Sequence, residues 1–163
     1  MTVSIISNIN HLKILNEYNN LESKIDWPEK SVKGMQCGLQ YALGEDPSSS
    51  AVGSLKKFRY EKEYCEINPL FQNTVFEDII NQFKLYRTRL MWINSFSCYS
   101  IHMDKSKRVH IPLITNPSCL FIFPDIPKIV HLPLGLVYTV DTTKMHSFCN
   151  FSNIPRLHLM GCI

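Results

Sequence analysis

The sequence predicts a mainly β fold, a sandwich or barrel with a few flanking helices, on three observations. From Leu85 onward the chain runs in short apolar segments set apart by Pro, Gly, Asn and Asp, the spacing of an all-β protein. Within those segments polar and aliphatic residues alternate with the two-residue period of a strand. One clear amphipathic helical segment, over 74–84, stands ahead of them.

Taken in order, His11 to Lys24 is a candidate helix and Met35 to Leu43 a candidate strand. Gly44 to Ser50 is rich in turn formers and reads as a surface loop. Thr74 followed by Glu77 has the capping-box pattern. Val75, Phe76, Ile79, Ile80 and Phe83 then form one apolar face, on a helix too short to stand without a sheet beneath it. The expected strands are Leu85–Asn94, Ser100–Asp104, Arg108–Ile114, Cys119–Phe123, Leu136–Val140, Ser147–Phe151 and Arg156–Met160. Pro133-Leu134-Gly135 reads as the turn that feeds the fifth of these.

A chain of 163 residues with no repeat or composition break is expected to form one domain over 1–163. Residues 1–84 would support a core at 85–160. A net charge of +3 without a basic run gives no argument for nucleic acid. No export signal opens the chain and no apolar run could span a bilayer. A cytoplasmic setting without a membrane partner is therefore expected. The six cysteines lack any C-x-x-C spacing, so reduced thiols are expected, with Cys98, Cys119 and Cys149 buried and inert.

The chemistry concentrates in His102-Met103-Asp104, in His146, and in Arg156 ten residues later. Two histidines and one carboxylate can hold one face of an octahedral metal and leave the other face open, the ligand set of non-haem Fe(II) oxygenases. His102 and Asp104, two apart on an extended segment, point the same way. Arg156 adds what a bare metal site does not need, a planar fork suited to a carboxylate such as that of 2-oxoglutarate. Arg108 with His110, and Arg156 with His158, are further same-face polar pairs opposite aliphatics. Each piece has a plainer alternative. An H-x-D tripeptide arises by chance, a lone histidine is more often a hydrogen-bonded core residue, and an arginine strand face can be solvated. His131 and His158 are rival ligands, with His131 expected in a loop. Arg87, Arg89, Trp92 and Tyr99 could shape a substrate pocket.

The run Tyr99-Ser-Ile-His-Met-Asp, then Arg108-Val-His-Ile-Pro-Leu, Leu132-Pro-Leu-Gly, His146, Asn150 and Arg156-Leu-His-Leu resembles a known family. It is similar to the aspartyl/asparaginyl β-hydroxylase-like group of 2-oxoglutarate/Fe(II) oxygenases, which includes proline hydroxylases. The resemblance covers roughly 85–160 and implies a double-stranded β-helix, the cupin-like jelly roll. It implies Fe(II) held by His102, Asp104 and His146, with O2 and 2-oxoglutarate as co-substrates. Arg156 would receive the distal carboxylate of 2-oxoglutarate, and Arg108 with His110 would help at its other end. The implied reaction is hydroxylation of an aliphatic C–H in an amino acid, free or in a peptide. Two other classes stay open: a cupin-like metalloenzyme that does not use 2-oxoglutarate, and a jelly-roll binding or structural module without metal.

Overall fold

The computed structural model describes residues 1–55 and 58–163. In chain order the elements are β1 (Val3–Asn8), α1 (His11–Leu21), β2 (Glu29–Ser31), β3 (Gly34–Gly38), β4 (Gln40–Ala42), β5 (Tyr64–Ile67) and α2 (Val75–Phe83). There follow β6 (Tyr86–Ile93), β7 (Ser97–Cys98), β8 (Arg108–Ile114), β9 (Cys119–Phe123), β10 (Lys128–His131), β11 (Leu136–Val140), β12 (Ser147–Asn150) and β13 (Arg156–Cys162). A seven-stranded sheet has the order β1-β11-β8-β13-β6-β3-β2, and a four-stranded sheet the order β10-β9-β12-β7. From β8 onward the chain passes back and forth between the two sheets, which is the winding of a jelly roll. Strands β4 and β5 form a separate hairpin-like pair. Among the described residues no helix is long and apolar enough to cross a membrane.

The two-residue period sorts the large sheet into two faces. Leu90, Val109, Ile111, Leu113, Leu157 and Leu159 pack outward against Ile14 and Tyr18 of α1 and Phe76, Ile79 and Ile80 of α2. The other face looks toward the small sheet, where Phe121, Phe123 and Phe148 make a second cluster with Ile93, Tyr138 and Val140. Arg108, His110, Arg156 and His158 lie on this inner face and are at most 6% exposed. A solvated polar sheet face is thereby ruled out, since those side chains are enclosed between two sheets.

Several local expectations need correction. The segment Ser100–Asp104 is not a continuous strand; within it only an isolated bridge from His102 to His146 forms. His131 ends strand β10 rather than sitting in a loop, and its Nδ1 lies 3.1 Å from the Cys119 carbonyl. Thr74 does cap α2, accepting from the Phe76 amide at 3.3 Å. Glu77, however, receives the Asn73 amide at 2.6 Å instead of closing the box onto Thr74. Cys98 and Cys149 are joined in a disulfide, contrary to the expectation of reduced thiols. They stand directly opposite each other in the β7–β12 pairing with Cα atoms 4.1 Å apart, a relation that sequence spacing does not reveal. Cys37, Cys119 and Cys162 are buried free thiols, and Cys65 is an exposed one.

The joint between β3 and β6 leaves no room for a side chain at its end. A Cβ on Gly34 would lie 2.0 Å from the Trp92 carbonyl oxygen. Gly34→Ala is expected to push the two strands apart and cost about 1–3 kcal/mol, read as a lowered urea midpoint with an unchanged slope. An unaltered midpoint would mean that this end of the sheet yields freely.

Candidate metal centre

Backbone pairing brings the candidate ligands together. The Tyr99 amide donates to the Phe148 carbonyl at 2.9 Å, and His102 and His146 exchange both backbone hydrogen bonds at 3.0 and 2.9 Å. The Asp104 amide then reaches the Thr142 carbonyl at 2.8 Å. The irregular stretch ahead of β8 is thus pinned alongside the stretch entering β12. His102, Asp104 and His146 each offer one ligand atom, and these atoms all lie within 4.8 Å of one another.

The two imidazoles are set in the same tautomer by the same device. His102 Nδ1 lies 2.7 Å from the Ser100 carbonyl, and His146 Nδ1 lies 2.9 Å from the Lys144 carbonyl. A carbonyl only accepts, so each Nδ1 carries the proton and each Nε2 keeps its lone pair for a metal. Burial pushes the His146 imidazole below its ordinary value, favouring the neutral form that a ligand must have. Asp104 completes the set, its carboxylate 3.8 Å from His146 Nε2 and 3.3 Å from Arg108 Nη2. This donor set fits Fe(II) with an open coordination face.

Around the triad lies a cavity of about 600 Å³ between the sheets, within the size range of sites for small ligands. Arg156 lines it, 2% exposed, with its guanidinium carbon 3.8 Å from the centre of the Phe148 ring and a hydrogen bond to His158 Nδ1. Burial pushes the Arg156 guanidinium down to about 9. His110 also lines the cavity, edge-on to Phe121 at 5.0 Å. Arg156 Nε, His110 Nδ1 and His158 Nε2 are buried without a hydrogen-bond partner. Orphaned donors of this kind are costly in an empty apolar site and inexpensive once a polar ligand meets them.

Arg108 is differently placed. Its Nη2 reaches Glu61 at 2.6 Å and its Nη1 touches Ser106. Glu61, 7% exposed, also receives Arg87 at 3.0 Å and the Ser106 hydroxyl at 2.7 Å. Burial alone would raise the Glu61 carboxyl, but hydrogen bonds from Arg108 and Ser106 and the charges of Arg108 and Arg87 outweigh it and hold the group at about 2. Arg87 adopts a left-handed backbone conformation, φ 51°, and its remaining donors bind the Ala51 and Gly53 carbonyls at 3.1 and 2.6 Å. Strain of that kind persists where many contacts fix the residue. Glu61 and Gln36 are site residues that the sequence reading did not single out. Glu61 lies in a Glu-Lys-Glu run that looks like a solvated surface, and its partners are 26 and 47 residues away.

No protein-family model matches the chain, and no curated protein matches it in sequence. Solved structures do share its fold. A 2OG-Fe(II) oxygenase family oxidoreductase from Burkholderia pseudomallei superposes with a TM-score of 0.61 at 13% identity, covering 99% of this chain and 83% of that one. HygX from Streptomyces hygroscopicus, solved with nickel, 2-oxoglutarate and hygromycin B, gives 0.61 at 9% identity, covering 98% and 81%. The collagen prolyl hydroxylase of Paramecium Bursaria Chlorella virus-1, solved with 2OG, gives 0.56 at 9% identity, covering 100% and 97%. The chain is a jelly roll of the form that 2OG-Fe(II) oxygenases, prolyl hydroxylases among them, adopt.

Proposed function

We propose that the protein is an Fe(II)- and 2-oxoglutarate-dependent oxygenase that hydroxylates an aliphatic C–H, of an amino acid or an amino-acid side chain. The observation that carries this reading is the convergence of His102, Asp104 and His146 beside a cavity lined by Arg156. A cupin-like metalloenzyme with no 2-oxoglutarate would have no use for that arginine, and a metal-free module would have no use for the paired tautomers. Proline hydroxylases among the fold neighbours support the hydroxylase assignment by analogy, and the resemblance to aspartyl/asparaginyl hydroxylases points to amino-acid substrates.

O2 would be the oxidant, activated at bound Fe(II), with one electron pair furnished by 2-oxoglutarate, decarboxylated to succinate and CO2, and the other by the C–H that is hydroxylated. The chain's own residues do the rest. His102 and His146 present neutral Nε2 donors, and Asp104 presents a carboxylate steadied by Arg108. Arg156 receives the distal carboxylate of 2-oxoglutarate, and Phe148 beneath it excludes water from that pairing. His110 lines the cavity with its Nδ1 unpartnered, and it would help bind the keto-acid end. Arg108, with donors already given to Glu61 and Asp104, serves that end through its charge and by fixing Asp104.

Anaerobic addition of Fe(II) and 2-oxoglutarate is expected to give a metal-to-ligand charge-transfer band. In Arg156→Ala the band should require at least about 10-fold more 2-oxoglutarate, the size of a lost charge-assisted contact, with Fe(II) affinity retained. Metal binding with no band at any 2-oxoglutarate concentration would favour the cupin-like alternative, and no metal binding the structural one.

A further inference from the structure

Four guanidinium groups line the cavity, and among the described residues only two of them are paired with a carboxylate. Glu61 pairs with Arg87 and Arg108, and Asp104 with Arg108. Among the described residues no carboxylate lies within ion-pair distance of Arg156 or Arg89. Arg89 is 6% exposed, donates from Nη1 to the Gln36 amide oxygen at 3.0 Å, and has Nη2 3.6 Å from the sulfur of Met160. Its Nε is buried with no partner. Burial with nearby Arg87 pushes the Arg89 guanidinium down to about 10, the mark of a cation without a counter-charge.

The two cations are anchored apart. Arg89 is paired with Met160 in the β6–β13 ladder, four residues beyond Arg156, roughly 13 Å along the strand. A keto diacid bound at the metal through its keto-acid end has one free carboxylate, and this can satisfy one of the two. We propose that Arg89, oriented by Gln36, is the subsite for a carboxylate of the substrate. This inference rests on the oxygenase reading and narrows it, since the substrate then carries a negative charge placed away from the reacting C–H. The neutral Met91 and Met160, which line the cavity beside Arg89, would pack against the aliphatic part.

The probes are the free L-amino acids and their methyl esters, titrated calorimetrically against the protein with and without anaerobic Fe(II) and 2-oxoglutarate. At least one free acid should bind 10-fold or more tightly than its ester, a charge-assisted pair being worth about that factor. Arg89→Gln should bring acid and ester to parity, Arg89→Lys should restore part of the difference, and Gln36→Leu should weaken the acid less than Arg89→Gln does. The 2-oxoglutarate titration, read separately, should respond to Arg156→Gln and not to Arg89→Gln. Acids and esters binding alike to the wild-type protein, or neither binding at millimolar concentration, overturns the subsite. So does loss of 2-oxoglutarate binding in Arg89→Gln. A wild-type protein that fails to bind 2-oxoglutarate but still prefers acid over ester in an Arg89-dependent way overturns the oxygenase reading alone.

Discussion

His102→Ala and His146→Ala are expected to lower Fe(II) affinity by at least about 100-fold, the upper end for loss of a mere outer-shell partner, and to abolish turnover. Each removes one of the three donors that meet within 4.8 Å, and nothing else in the triad can replace it. The cost to the fold should be unequal. His146 is 4% exposed and packs near Phe121 and Phe123, so its loss leaves a small void. His102 is held by its backbone bridge, which alanine preserves, so its variant should unfold within about 1 kcal/mol of the parent, as at sites outside a packed core. Anaerobic metal titration beside urea denaturation separates the two effects. Variants that keep full Fe(II) affinity would remove the metal centre; unfolding of His102→Ala in mild urea would make that residue a core histidine.

Removing the carboxylate of Glu61 should be the most damaging single change to stability. Glu61→Ala leaves Arg87 buried without its acid at 3.0 Å and takes from Arg108 the one at 2.6 Å, leaving it only Asp104 at 3.3 Å, and breaking a buried ion pair from one side costs about 3–5 kcal/mol. The same group makes stability depend on acid. Its folded value is depressed from 4.5 to about 2, so its contribution is complete above the unfolded value and disappears as pH falls through that interval. The contribution lost is about 3 kcal/mol. Urea titrations from pH 6 down to 2 should show that loss in the parent and a flatter profile in Glu61→Ala. Parallel profiles would mean that the carboxylate does not gain from folding. Release of Arg108 should also loosen Asp104, weakening metal binding without touching a ligand.

What could be read in the sequence was set by local periodicity. Arg108 and His110 alternate with Val109 and Ile111, and Arg156 and His158 with Leu157 and Leu159, so the strands and the sharing of one face were legible, while the enclosure of that face by a second sheet was not. Pro112 inside β8 would ordinarily argue against an interior strand. A register shift between Leu157 and His158 on β13, opposite Pro112 and Ile114, accommodates it. The segment 99–107 was harder, because the site interrupts the ladder there and only a few backbone contacts fix it. Long-range choices were not legible at all. The Cys98–Cys149 pairing follows from register between β7 and β12. The use of Glu61 follows from a chain fold that brings residues 26 and 47 positions apart together.

The strand order has a practical consequence for anyone seeking a smaller fragment that keeps the site. The family-like portion starts near Leu85, yet β6 is covered on one side by β3, and β11 is covered on one side by β1. A polypeptide trimmed to that portion would bare two raw sheet margins, each ready to recruit another chain. It would also lack the acid that quiets Arg87 and Arg108. The first half of the protein is therefore no detachable scaffold: cutting it away would unsettle the candidate metal pocket and leave a sticky remnant.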